Sequence, residues 1–217
     1  MDYGHTLEQM RSFVRQRSAC SVDEFWVLQH HSVYTQGYTC SEYPAERSDI
    51  PVVSTDRGGQ MTYHGPGQLI VYLLIDLRRR GCGARRLAKS VESAIVRLLS
   101  DYGIAGEVLP GAPGVYVAGR KIASLGFRIL RGCCYHGLSL NVDIDTQPFE
   151  AIDICGIAGL EATSMADLGT KCSVDQVADD CVANLVCEFG YAAVRNAPSK
   201  AHWQSQSDLP LASNALS

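Results

Sequence analysis

Apolar residues recur along this chain with two different periods. Leu7, Met10 and Val14 fall three and four apart, which predicts an amphipathic helix over residues 5–17. Leu87, Val91, Ala94, Ile95, Leu98 and Leu99 mark a clearer helix that stops near Tyr102 and Gly103, where glycine suits a C-terminal cap. Ser173-Val174-Asp175-Gln176 is a capping box opening a third helix, with Val177, Cys181, Leu185 and Phe189 on one face. Residues 25–28 read as a buried strand, 51–53 as a short strand and 69–75 as a continuous apolar strand. A turn over 110–114 precedes a hairpin, in which 115–117 and 122–124 flank Ala118-Gly119-Arg120-Lys121. Two further strands are predicted over 126–130 and 135–142. In the second, His136, Leu138 and Leu140 alternate with Gly137, Ser139 and Asn141. Residues 34–43 read as a loop, 149–152 as a short helix, and the Ser-, Gln-, Asn- and Ala-rich stretch over 196–217 as a mobile tail. Strands fill the middle and helices are irregularly spaced. The expected fold is therefore one α+β domain over 1–195, with a mostly antiparallel mixed sheet and flanking helices.

Composition narrows the class. A chain of 217 residues with 46% hydrophobic and 19% charged residues suits one globular domain. Nineteen Lys and Arg against 23 Asp and Glu give a net charge of −4, with no basic footprint for nucleic acid. The nine cysteines include no C-x-x-C pair, which argues against a zinc ribbon and a thioredoxin-type motif. The N-terminus lacks the basic and apolar regions of a secretory signal, and no apolar run approaches the roughly 18 residues of a membrane span. The expectation is a cytoplasmic protein with free thiols and no membrane partner.

The densest chemistry lies in Arg57-Gly58-Gly59-Gln60-Met61-Thr62-Tyr63-His64-Gly65-Pro66-Gly67-Gln68. A turn needs one or two glycines; four among varied polar residues predict backbone held close to a ligand. A bare glycine-rich hairpin is the blander reading. The P-loop pattern is absent, and Gly65-Pro66-Gly67 runs into a strand without the third glycine of a dinucleotide fingerprint. Cys155, in Asp153-Ile154-Cys155-Gly156, sits in a turn after a short helix and offers a small exposed sulfur with backbone N–H groups nearby. A nucleophilic thiol needs a cation to favour its thiolate. Lys121, in Gly119-Arg120-Lys121-Ile122-Ala123-Ser124-Leu125-Gly126, is the candidate, although a solvated hairpin lysine is the commoner case.

Four blocks in order carry a resemblance: 57–68, 119–126, His136-Gly137-Leu138-Ser139-Leu140-Asn141-Val142, and Cys155-Gly156-Ile157. The chain resembles the octanoyltransferases of the lipoate-protein ligase B family from Leu7 to Leu168. The resemblance also takes in Trp26-Val27-Leu28-Gln29-His30 and Thr163-Ser164-Met165. It implies the α+β domain shared with biotin and lipoate ligases. It implies that Cys155 holds the acyl group as a thioester and that Lys121 lowers the cysteine's pKa. Arg57, Gly58, Gly59, Gln60, Met61, Thr62, Tyr63 and His64 are implied to line the acyl site, with Ser124, Leu125 and Gly126, and with Gly137, Leu138 and Ser139. Three positions depart from the family's usual residues: Ile154 stands for proline, Gln29 for glutamate and Ser139 for alanine.

The implied reaction moves an octanoyl group from the phosphopantetheine of octanoyl-[acyl-carrier protein] to a lysine ε-amine, the first step of endogenous protein lipoylation. The acceptors would be the lipoyl domains of 2-oxoacid dehydrogenase complexes and the glycine cleavage H protein. Neither ATP nor a metal is implied, and a monomer is expected. Backbone N–H groups around Gly156 and near the glycine-rich block are candidates for holding the oxyanion. Thr62 and His64 are candidates for orienting hydrogen bonds. Arg78, Arg79, Arg80, Arg85, Arg86 and Lys89 form a basic cluster that could steer an acidic carrier, or could be a solvated helix face. The competing readings are an ATP-dependent lipoate-protein ligase, a non-catalytic acyl-binding relative and a cysteine hydrolase.

Overall fold

A computed structural model describes residues 1–40, 49–192 and 195. Its helices are α1 (Tyr3–Gln16), α2 (Ala84–Asp101) and α3 (Val174–Phe189). Its strands are β1 (Glu24–Leu28), β2 (Val33–Gln36), β3 (Val52–Ser54), β4 (Met61–His64), β5 (Gln68–Leu74), β6 (Glu107–Leu109), β7 (Ala112–Val117), β8 (Arg120–Leu130) and β9 (Cys133–Asn141). Six strands form an antiparallel sheet in the order β1-β5-β9-β8-β7-β6, and three form a smaller sheet in the order β3-β2-β4. The expected mostly antiparallel α+β architecture is what is found.

The unbroken apolar run of β5 has a simple cause: both of its faces are covered. Leu69, Val71 and Leu73 pack with α2 and α3, whereas Ile70, Tyr72 and Leu74 pack with Leu7, Met10 and Val14 of α1. All seven residues of β5 are buried. The predicted helix ends are found, the capping box through one of its two bonds. The Ser173 hydroxyl accepts the Gln176 N–H, and α2 ends at Tyr102 with Gly103 at φ +73°. At the hairpin, Ala118 (φ 48°) and Gly119 (φ 77°) supply the two left-handed residues of a tight β7–β8 turn.

Several expectations are corrected. Residues 34–36 belong to strand β2 and not to a loop, with Tyr34 and Thr35 buried beside Val33 against the site layer. The rest of that predicted loop runs beyond residue 40 and lies partly outside the described residues, as does the tail over 196–217. The strand at 25–28 is an edge strand, half-buried, with Val27 exposed. The glycine-rich block is not all loop, since Met61–His64 is strand β4. The turn expected over 110–114 shrinks to Pro110 and Gly111, flanked by β6 and β7. The separate strands at 122–124 and 126–130 are one strand, β8.

One irregularity in β8 positions the site. Tyr116 pairs with Lys121, but Val115 pairs with Ala123, so β8 carries one extra residue between them. Ile122 and Ala123 consequently both face the helix-side core. The bulge switches the faces, and Lys121 emerges on the same side as Ser124 and Gly126 instead of opposite them.

Candidate functional site

The site-side face of the large sheet forms the floor of a cleft. Ile70 and Tyr72 of β5, Gly137 and Ser139 of β9, and Ser124 and Gly126 of β8 line it. The glycine-rich block lies over this floor: the Gly58 N–H donates to the Phe127 carbonyl at 3.0 Å. Gly126 permits this close approach, since a Cβ there would stand 3.1 Å from Arg57 Cδ, whereas a Cβ at Gly137 would stand 1.9 Å from the Val71 carbonyl oxygen of the neighbouring strand β5. The empty volume, open mouth included, is about 580 Å³, within the range of small-molecule sites.

Lys121 and Cys155 meet in this cleft. The lysine Nζ lies 2.7 Å from Cys155 Sγ, 2.7 Å from the Pro113 carbonyl and 3.3 Å from the Tyr116 hydroxyl. Lys121 is 2% exposed, so the solvated-lysine reading fails. Its backbone is clamped as well: its N–H donates to Glu161 O at 2.8 Å, and its carbonyl accepts the Thr163 N–H at 2.9 Å. Gly114 clears the lysine's path, because a Cβ there would stand 2.7 Å from Cε and 2.8 Å from Nζ. The Gly114 N–H donates to Oε1 of Glu92, a buried carboxylate on α2, at 3.0 Å.

Cys155 is half-buried, not exposed as expected, and sits in a short 3₁₀ turn (Ile154–Gly156) with φ 59°. A left-handed non-glycine residue costs about 1–2 kcal/mol, so this backbone is held by its surroundings. Ile154 anchors it by packing with Tyr34, Met61, Tyr63 and Phe149. The Gly156 N–H donates to Asp153 O at 2.9 Å, which removes it from the expected oxyanion donors.

A buried polar chain ties the glycine-rich block to the lysine strand. Arg57 donates through Nε to Thr35 Oγ1 at 3.2 Å and through Nη2 to the Thr35 carbonyl at 2.6 Å. Burial pulls His64 down to about 3, so its ring is neutral at neutral pH. Nδ1–H then donates to Gln68 Oε1 at 2.7 Å, and Nε2 accepts from Thr35 Oγ1 at 3.3 Å. Gln68 Nε2 donates to Asn141 Oδ1 at 2.9 Å, and Asn141 Nδ2 donates to the Thr163 carbonyl at 2.9 Å. His64 therefore spends both ring nitrogens on the framework and has none left to orient a ligand.

At the far end of the cleft, His136 has φ 60°, which stacks its ring on Tyr135 at 5.0 Å instead of sending it to the opposite face. Both side chains bond to Asp56, His136 Nε2 at 2.9 Å and Tyr135 Oη at 2.7 Å. Burial alone would raise Asp56, but hydrogen bonds from His136, Tyr135 and Arg11 outweigh it and hold the carboxyl well below the usual range.

A family model for the lipoyl protein ligase A/B catalytic domain matches residues 2–186. The chain belongs to this family. Among relatives of the lipoyl protein ligase A/B family, an octanoyltransferase of Pseudomonas putida (strain W619) is 50% identical over 191 residues, covering 88% of this chain and 89% of its own. One of Nitrosococcus oceani is 49% identical over 193 residues, covering 88% and 86%. Among solved structures, a lipoate-protein ligase A bound with ATP superposes with a TM-score of 0.70 at 14% identity, covering 85% of this chain and 79% of that one. A Thermoplasma acidophilum lipoate protein ligase with bound lipoic acid gives 0.67 at 14% identity, covering 85% and 80%. These structural likenesses concern the fold.

Of the residues expected in the acyl site, Arg57, Gly59, Gln60, Met61, Thr62, His64, Ser124, Leu125, Gly126, Gly137, Leu138 and Ser139 do line the cleft with Lys121 and Cys155. Gly58 and Tyr63 do not. Gly58 docks on β8, and Tyr63 packs between Tyr34 and Phe149. The sequence missed Tyr3, Ile70, Tyr72 and His136 in the lining, and Tyr116 beside the lysine. Ile70, Tyr72 and Tyr116 read as ordinary strand positions, Tyr3 lies outside the predicted first helix, and His136 stands in a resemblance block without a role of its own. The basic cluster is not at the site. Arg78, Arg79 and Arg80 lie beside the β8–β9 turn, where Asp76 bridges Cys133, about 30 Å along the strand from Lys121; Arg85, Arg86 and Lys89 ride on α2, and none of the six lines the cleft. Arg79 is engaged with Asp23 and Ser21, and Arg80 with Phe189 and Tyr191.

Proposed function

We propose that this chain is an octanoyltransferase of protein lipoylation that works through a thioester on Cys155. The observation that carries this is the 2.7 Å contact between Lys121 Nζ and Cys155 Sγ, at one end of a cleft floored by Ile70, Tyr72 and two glycines. The octanoyltransferases at about half identity support the acyl length. The cleft runs beside β8 from Lys121 to Gly126, about 13 Å by strand rise with the extra residue at the bulge discounted, enough for an extended eight-carbon chain.

In the first transfer the Cys155 sulfur attacks the carbonyl carbon of octanoyl-[acyl-carrier protein]. A carbon–sulfur bond forms to Cys155 and the one to phosphopantetheine breaks. The departing sulfur takes a proton from the Lys121 ammonium. In the second, the neutral ε-amine of a lipoyl-domain lysine attacks the thioester, and the carbon–nitrogen bond replaces the carbon–sulfur bond. The proton lost by nitrogen returns to Lys121, restoring the ammonium beside the sulfur. Thioester exchange followed by amide formation needs neither ATP nor a metal, so neither belongs to the proposed reaction. The acceptors are lipoyl domains of 2-oxoacid dehydrogenase complexes and the glycine cleavage H protein, and the compartment is the cytoplasm. Among the described residues no helix is long and apolar enough to cross a membrane.

The test is octanoyl transfer from octanoyl-carrier protein to an unmodified lipoyl domain, with chelator present and nucleotide omitted. The domain should gain one octanoyl group, and Cys155→Ser should abolish the gain. Transfer that requires ATP and free acid would identify a ligase instead.

A further inference from the structure

Tyr116 is a buried titratable side chain that the mechanism above does not use. It is the cross-strand partner of Lys121, and its side chain is fully buried. Its hydroxyl accepts from Lys121 Nζ at 3.3 Å and donates to the Ala112 carbonyl at 3.1 Å. The Lys121 ammonium also lies 5.2 Å from the Tyr116 ring centroid. The lysine's three N–H groups thus have three acceptors: Cys155 Sγ, Pro113 O and Tyr116 Oη. That arrangement fits the ammonium. It does not fit the neutral amine, which has two hydrogens and a lone pair.

We propose that Tyr116 is a positioning residue whose hydroxyl rotates between two acceptors, the Ala112 carbonyl when Lys121 is an ammonium and the Lys121 lone pair when it is an amine. Rotation about one C–O bond is sufficient. The hydroxyl accepts a hydrogen bond in the first state and donates one in the second. The lysine therefore stays beside the sulfur throughout the life of the acyl-enzyme, ready to take the proton released by the attacking amine. Three charged or titratable groups face this hydroxyl: Lys121 of β8, Cys155 of the 3₁₀ turn and Glu92 of α2. Burial, and after it the charge of Cys155, push the Tyr116 phenol up to about 12. It remains a neutral donor at working pH.

This inference rests on the acyl-transfer reading for one of its two assays. In single-turnover experiments Tyr116→Phe should slow transfer from the acyl-enzyme to the lipoyl domain by about tenfold or more. Acylation by octanoyl-carrier protein should slow less, with KM for the lipoyl domain unchanged. The second assay needs no octanoyl chemistry. Iodoacetamide alkylation of the Cys155 peptide, followed by mass spectrometry from pH 6 to 9, should give a rate profile displaced to higher pH in Tyr116→Phe, because the ammonium beside the sulfur loses a hydrogen-bond acceptor. Superimposable alkylation profiles, or equal slowing of both half-reactions, would overturn the proposal. A wild-type protein that is never acylated, yet shows the displaced profile in the variant, would sink the transferase reading and leave Tyr116 in place. If Tyr116→Phe folds poorly, 3-fluorotyrosine at 116 keeps the shape and makes the phenol more acidic. An unchanged acyl-enzyme lifetime in that protein would also overturn the proposal.

Discussion

Gly114→Ala tests the placement of the lysine without touching a reacting atom. The new methyl group would arrive 2.7 Å from Lys121 Cε and 2.5 Å from the Ala123 carbonyl oxygen. Carbon atoms in contact sit at about 3.5–4.0 Å, so the lysine must move by about 1 Å. A misplacement of that size costs on the order of 100-fold in rate. The backbone also suffers: Gly114 has φ +133°, and residues forced into such regions cost about 1–3 kcal/mol. Gly111→Ala separates the two effects. Gly111 has φ +80°, and a methyl group there would meet nothing within 4 Å, so its variant bears a backbone cost and leaves Lys121 alone. Both variants should lose several degrees in Tm, since about 1 kcal/mol corresponds to roughly 2–4 °C for a chain of this size. Only Gly114→Ala should lose about two orders of magnitude in octanoyl transfer. A folded Gly114→Ala enzyme with near wild-type rate would refute the idea that the bare backbone at Gly114 fixes the lysine's place, as would equal inactivation by Gly111→Ala.

Two more outcomes follow from the titratable and charged groups. Burial holds His30 at about 4 and His64 at about 3, both below the usual value of 6.5. The unfolded chain therefore binds more protons than the folded one in acid. Stability from these rings should be complete above pH 6.5 and should decline as pH falls from 6.5 toward 3, with Asp56 adding a further loss below about 4. Urea midpoints across that range check this, and a flat profile between pH 6.5 and 4 would contradict it. Reversing Arg85, Arg86 and Lys89 to Glu should leave KM for octanoyl-carrier protein unchanged, because that cluster does not border the cleft. A several-fold rise, absent with a small thioester donor, would place the carrier there after all.

The sequence made the site's ingredients legible but not their arrangement. Glycines and mixed polar residues over 57–68 announced a ligand-holding segment, and a cysteine followed by glycine announced a turn. The lysine was harder to read. Period-2 alternation places Lys121 and Ser124 on opposite faces, and only the extra residue at Ile122 brings them to the same one. Strand β2 was hidden because Thr35 and Gln36 look like loop residues, although Thr35 is buried to receive Arg57. Tyr116 carried no signal at all. Between Val115 and Val117 it looks like strand filler, and its role arises from what stands across the strand pair. His136 fitted an alternating pattern by its letter, whereas its left-handed φ turns it out of that pattern.

The most direct measurement is to map the acyl group on the protein itself. After brief incubation with octanoyl-carrier protein and an acid quench, peptide mass spectrometry should find one octanoyl thioester on the peptide containing Cys155. It should be labile to hydroxylamine and should be discharged when a lipoyl domain is added before the quench. Octanoyl transfer that proceeds at full rate with Cys155 unmodified at every time point, or with the acyl group on another of the nine cysteines, would contradict the account.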